Sequence, residues 1–319
     1  MTSKRVLLLC TLLLATVTAC SSTPSRQQGK YNSVPEGAKR LMEAYPEHVV
    51  GFENNHIIFW DGSRLIYDDG IKRTIEQMHQ EQDVEDTFIY EYDTTKFPPQ
   101  QGYDPGRYRC AQFFGKIYGD TREEVISNLV VVNWCPRLGG RPLLFTGVAG
   151  AAEALKRVSD ELEQHPELAE WVADAQTFNW RPIFGTARLS PHCYGIAIDM
   201  AIAKSHYWKW SYPQASESTP LVYSNNFNMK IVEIFERHGF IWGGRWYHFD
   251  TMHFEYRPEM NPIKRDKDNE PKLIEQQGIS VGGVDPAIAE ELYLRLFDLP
   301  QHDSVKRELK AKFMKKSSK

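Results

Sequence analysis

The strongest constraint on how this chain folds lies in two short segments rich in histidine and acid. The first runs Ser190-Pro191-His192-Cys193-Tyr194-Gly195-Ile196-Ala197-Ile198-Asp199, and the second Trp246-Tyr247-His248-Phe249-Asp250-Thr251-Met252-His253-Phe254-Glu255. Zinc takes imidazole nitrogen and carboxylate oxygen at about 2.0–2.2 Å, and a catalytic site keeps one position open. His192, Asp199 and His253 offer two nitrogens and one oxygen, which makes them candidate ligands. Such a metal brings the pKa of water to about 7, and a further carboxylate must then carry the proton to the leaving group. Asp250, three residues before His253, is a candidate. Residues three apart on a flat strand point to opposite faces, so a bulge or bend must separate these two if they share a site. Glu255 shares a strand face with His253 more simply and is a rival base; His248 is a rival ligand. Taken singly, each of these residues is more often packed or surface than ligating.

The rest of the chain is that of an ordinary globular protein. It has 319 residues, 41% hydrophobic and 25% charged, enough for one large domain or two small ones around a real core. The net charge is -4 with no long run of one sign, so nothing calls for nucleic acid as a partner. Residues 36–43 predict a short helix. His48–Phe52 and His56–Trp60 predict two strands around Glu53-Asn54-Asn55, with turns at Asp61-Gly62-Ser63 and Asp68-Asp69-Gly70. Phe88–Tyr92 and Val130–Trp134 read as strands and Arg122–Leu129 as a helix. The clearest helix is Gly147–Glu163, where Ala151, Leu155, Val158 and Leu162 recur at three and four. Leu168–Ala175 reads as a second short helix. Phe227–His238 is another, with Ile231, Ile234 and Phe235 on one face and Gly239 as its stop. Phe240–Tyr256 reads as strand, turn, strand, turning at Gly243-Gly244.

The N-terminus reads as an export signal. Lys4 and Arg5 precede a 14-residue apolar run, Val6–Ala19, too short to cross a bilayer as a helix. A basic start, a short apolar stretch and small residues make a secretory signal over 1–19. Cys20, directly after Val-Thr-Ala, resembles the lipidated first residue of a mature bacterial lipoprotein, and Ser21 after it resembles the form sent to the outer membrane. Loss of Lys4 and Arg5 leaves 36 basic residues against 42 acidic, a net of -6, so the membrane partner is reached through a lipid anchor, not a basic surface. Residues 20–35 are a polar tether. Export permits disulfides. Cys110 and Cys135 are the natural pair, since both lie in one segment and Cys193 sits inside the suspected metal motif; free buried thiols are the alternative. The division that follows is a signal at 1–19, a tether at 20–35, a β-rich extension at 36–145, a domain at 146–262 carrying both motifs, and a charged, helical tail at 263–319. In that tail Pro286–Phe297 reads as an amphipathic helix, and the basic end, Lys306–Lys319, as a solvated helix end.

The pattern Ser-x-His-x-x-Gly-x-Ala-x-Asp, followed by Asp-x-Met-His-Phe-Glu, resembles the zinc D-alanyl-D-alanine carboxypeptidase family. That family includes the VanY-like carboxypeptidases and the L-alanyl-D-glutamate endopeptidases of phage lysins. The likeness covers roughly Phe178 to Tyr256. It implies one Zn2+ held by His192, Asp199 and His253, with Asp250 as acid/base where some members carry Glu. Members use an arginine upstream of the first histidine for the substrate and the developing oxyanion. Phe178-Asn179-Trp180-Arg181 resembles that segment, which implies Arg181; Arg188 is the second candidate, with Ser190 beside it. The implied fold is α+β, a Hedgehog/DD-peptidase-like zinc fold with a central antiparallel sheet and flanking helices, here with the N-terminal β-rich extension. The implied activity is hydrolysis of peptidoglycan stem peptides or cross-bridges, as a D,D- or L,D-carboxypeptidase or endopeptidase, in the cell envelope. A zinc-containing peptidoglycan-binding lipoprotein without turnover is the alternative, and Asp250 argues against it, since a pure binder needs no acid/base. A structural envelope lipoprotein with incidental histidines would bind no metal.

Overall fold

The computed structural model describes residues 31–261 apart from 184, 185 and 187. The signal segment, Cys20, most of the tether and the charged tail from 263 lie outside the described residues. After α1 (Glu36–Ala44), strands β1 (Val49–Glu53), β2 (His56–Phe59) and β3 (Arg64–Ile66) form a three-stranded antiparallel sheet in sequence order. Its first hairpin turns on Asn54 and Asn55, at φ 48° and 62°, a left-handed conformation that asparagine tolerates better than most residues. The strand expected at Phe88–Tyr92 is absent: Glu85–Phe88 is a 3₁₀ turn. Its cause is local. Asp83 accepts from the Asp86 N–H at 3.0 Å and Asp86 from the Asp83 N–H at 3.1 Å, bonds that offer the backbone an alternative to a strand ladder.

The expected β-rich stretch is in fact mixed. It continues through α2 (Ile75–Met78), an unanticipated α3 (Ala111–Tyr118), α4 (Arg122–Asn128), and the antiparallel pair β4 (Leu129–Asn133) and β5 (Pro142–Thr146). A Thr121–Glu124 capping box starts α4. Helix α5 (Ala151–Leu162) begins later than its periodicity suggests, because Gly150 is left-handed at φ 74°. Then come α6 (Ala169–Val172), β6 (Ala197–Asp199), α7 (Trp208–Ser211), α8 (Met229–Arg237), β7 (Phe240–Trp242) and β8 (His253–Tyr256). The last sheet is antiparallel, in the order β6-β8-β7. Gly243-Gly244 does not close a tight hairpin. It opens a 3₁₀ turn, and the connection to β8 extends to residue 252.

Among the described residues the main hydrophobic core runs from Ala38 to Tyr256, and Ile241, Trp246 and Met260 form a smaller cluster. The buried face of α8 presses on the sheet, with the Phe235 ring stacked on Phe254 at 4.2 Å between centroids. This contact seats β8, and β8 carries His253.

Cys110, Cys135 and Cys193 are all free and buried, so the expected Cys110–Cys135 bridge is not formed. Cys110 packs ahead of α3 in the core, while Cys135 turns toward Ser159, whose Oγ accepts from the Cys135 N–H at 2.8 Å. Burial raises both thiols, to about 11 and about 12 respectively. They act as small apolar side chains rather than as reactive ones.

Candidate metal centre

Strand register builds the centre. Asp199 at the end of β6 lies directly opposite His253 at the start of β8. His192 comes from the 3₁₀ turn Pro191–Tyr194 just before β6. The turn closes on Gly195, at φ 68°, where an added Cβ would stand 2.6 Å from Leu129 Cδ2. Gly195→Ala is therefore expected to destabilise by about 1–2 kcal/mol from left-handed strain alone, read as a lower denaturation midpoint; an unchanged midpoint would contradict this account of the turn.

Three donor atoms converge. His192 Nε2 lies 3.3 Å from His253 Nδ1 and 3.2 Å from an Asp199 oxygen, and His253 Nδ1 lies 2.8 Å from the other Asp199 oxygen. A tetrahedral site with bonds of about 2.0–2.1 Å has edges of about 3.3 Å, so the spacing fits zinc. The far edge of each ring is also committed. His192 Nδ1 meets the Thr177 carbonyl at 2.6 Å, and His253 Nε2 meets Glu255 Oε1 at 2.9 Å. Each far nitrogen donates to its oxygen, so the near nitrogen is the one that can give a lone pair to a metal once it sheds its proton. The surroundings favour positive charge there. Burial alone would depress His253, but Asp199 and Glu255 outweigh it and lift it to about 10. Asp199, despite burial, is held well below the usual carboxylate range by His192 and His253.

Asp250 sits beside this group. The required bend exists: residues 251 and 252 turn, the His253 N–H donates to the Asp250 carbonyl at 3.2 Å, and Asp250 bridges Tyr207 outside the sheet. Among the described residues its Oδ1 is buried without a hydrogen-bond partner. Burial raises the carboxyl to about 7, against the opposing pull of His253. A carboxyl oxygen buried without a partner is rare unless it has work to do.

The remaining sequence candidates divide. Arg181 is exposed, its guanidinium touching only the Pro182 carbonyl at 3.4 Å among the described residues, and its charge reaches Asp250. Arg188 is half-buried and donates to the His79 carbonyl at 3.0 Å; burial and the neighbouring Arg109 and Arg107 depress it to about 9. Ser190 is 3% exposed and caps the turn that carries His192, its Oγ accepting from the His192 N–H at 3.4 Å. Cys193 supports the arginine segment from behind, its Sγ accepting from the Arg181 N–H at 3.1 Å.

The two rivals are placed elsewhere. Glu255 stands behind His253, clasped by Arg109. His248 joins Asp104, Glu217 and Arg107 in a second cluster. There the Arg107 guanidinium lies 2.6 Å from Glu217 Oε2 and 2.9 Å from His79 Nε2, so the cation between these donors is already an arginine. Arg109, Thr177 and Arg107 were missed in the sequence. None has a local motif, and the Arg109 partner is 146 positions away.

Residues 184–256 match the family model described as D-alanyl-D-alanine carboxypeptidase. No curated protein and no solved structure matches the chain.

Proposed function

We propose that this chain, whose residues 184–256 match the D-alanyl-D-alanine carboxypeptidase family model, is a zinc peptidase that hydrolyses peptide bonds of peptidoglycan. The observation that carries this reading is the Asp250 Oδ1, buried without a hydrogen-bond partner among the described residues, beside three converging ligand atoms. His192, Asp199 and His253 would hold the metal. Bound zinc supplies a Lewis acid for the scissile carbonyl and makes water more acidic. Asp250 takes the proton of the attacking water and returns it to the leaving nitrogen. Arg181, exposed and unpaired by any acid among the described residues, donates to the carbonyl oxygen as charge develops there. Arg188 offers a guanidinium to a substrate carboxylate. The β6-β8-β7 sheet with its helices supports a Hedgehog/DD-peptidase-like arrangement. The basic start and apolar run before Cys20 support an export signal and a lipid anchor, and with them a site of action on the periplasmic face of the outer membrane.

The test is digestion of purified peptidoglycan by the form lacking residues 1–20, with and without chelator, beside Asp250→Ala. Zinc-dependent products that vanish in the variant support the peptidase. Stoichiometric zinc without products indicates the binding lipoprotein, and protein purified free of zinc overturns both. The pH profile is a further expectation. Asp250 must be ionised to accept a proton, and a divalent cation beside it pulls its pKa below the metal-free value of about 7. Activity therefore rises with pH along an acid limb centred below 7; a limb centred above 7 would rule out Asp250 as the base.

A further inference from the structure

Zinc ligands account for one edge of the His253 ring; the other edge is held from a distant part of the chain. Glu255 is fully buried and its Oε1 lies 2.9 Å from His253 Nε2. Arg109 grips both Glu255 oxygens, through Nε at 2.9 Å and through Nη2. Arg257 Nη1 adds a longer contact to one of them, at 3.3 Å. Trp246 packs against the same group: the Arg109 guanidinium lies 5.9 Å from its ring, and that ring lies 5.7 Å from His253. Arg109 immediately precedes the Cys110 cap of α3, outside residues 184–256.

We propose that Arg109 is a positioning residue for the metal centre, acting through Glu255 on the ligand His253, so that the motif-bearing segment forms a working centre only together with the N-terminal stretch. This rests on the zinc reading above. A carboxylate that accepts from the far N–H of a ligand imidazole fixes the tautomer and orientation of the ring and strengthens its near nitrogen as a donor. Glu255 can do so only if its own oxygens are held still, and a guanidinium fork matches a carboxylate at both oxygens at once. Lysine offers a point charge on a flexible stem and cannot reproduce that grip. The arrangement also removes Glu255 as a proton shuttle, because both of its oxygens are engaged. Asp250 is left with that task.

The test is zinc affinity, measured by chelator competition on the full chain, for the parent, Glu255→Gln, Arg109→Met, Arg109→Lys and the double variant Arg109→Met/Glu255→Gln. Loss of such an outer partner typically weakens metal binding about 10–100-fold. That loss is expected for Glu255→Gln and Arg109→Met, with Arg109→Lys between them and the parent. If Arg109 acts through Glu255, the double variant binds no more weakly than Glu255→Gln alone. The double variant also leaves no buried charge from this pair unpartnered, which keeps a folded protein available if a single variant does not fold. Cobalt-loaded protein gives a second readout: its visible spectrum shifts in Arg109→Met if the His253 geometry changes. A folded Arg109→Met that holds zinc within twofold of the parent overturns the inference, as does a double variant with additive losses. A parent that takes up no zinc overturns the zinc reading itself, and the inference with it.

Discussion

Asp250→Asn is expected to lower kcat by about 10²- to 10⁴-fold, the range for loss of a general acid/base, while zinc remains bound at one per chain. Asparagine keeps the shape of the side chain but cannot accept the proton. His192, Asp199 and His253 are untouched, so metal content and catalysis should separate cleanly. Peptidoglycan digestion rates read beside zinc content make the measurement; a variant within tenfold of the parent would move the proton transfer to another residue. The same substitution has a second, opposite effect on stability. The metal-free Asp250 carboxyl titrates at about 7 because burial disfavours its charge, against about 3.9 for an unfolded aspartate. The folded state therefore binds the proton more tightly, and the parent loses stability as pH rises from about 4 to about 7. Asparagine does not ionise. Without metal, the variant should gain on the parent across that window and hold a constant lead above it. Thermal unfolding at a series of pH values checks this, and a lead independent of pH would show that Asp250 is not buried in need of a proton or a cation.

Arg257→Met is expected to be the most destabilising change away from the ligands. Arg257 is wholly buried, pairs with Glu259 through Nε, reaches Glu255 Oε2 at 3.3 Å and donates to the Gly106 carbonyl at 2.7 Å. Glu259 in turn accepts from the Tyr45 hydroxyl at 2.6 Å. Methionine fills much of the volume but leaves the Glu259 carboxylate buried without its cation, and breaking such a pair from one side costs about 3–5 kcal/mol. For a domain of this size that lowers the unfolding temperature by roughly 10 °C. Arg257→Met/Glu259→Gln should recover part of the loss, because removing both charges removes the unpaired one. A double variant less stable than the single one would show that packing, not charge, sets the cost.

The sequence offered His192, Asp199 and His253 as candidate donors, because few residue types bind zinc and their clustering is visible without knowing the fold; the family resemblance singled them out from their rivals. It also predicted α5 and α8, whose apolar spacing is regular, and the bend between Asp250 and His253, which strand geometry requires. It left Glu255 as a rival base and His248 as a rival ligand, since spacing along one strand cannot tell which edge of an imidazole a carboxylate meets. It read Phe88–Tyr92 as a strand, because Asp83 and Asp86 override propensity only once their side chains close on the backbone. It paired Cys110 with Cys135, because proximity in the chain is a poor guide to proximity of sulfur atoms.

Tertiary structure decided the rest. The register of β6 against β8 sets Asp199 opposite His253. Packing of the N-terminal stretch brings Arg109 to Glu255, and burial of Asp250 without a partner gives that carboxyl its raised pKa. Ligand chemistry belongs to a residue wherever it stands, so a sequence can declare it. The charge state and orientation of a buried side chain belong to its neighbours, which here come from segments far apart in the chain and meet only when it folds.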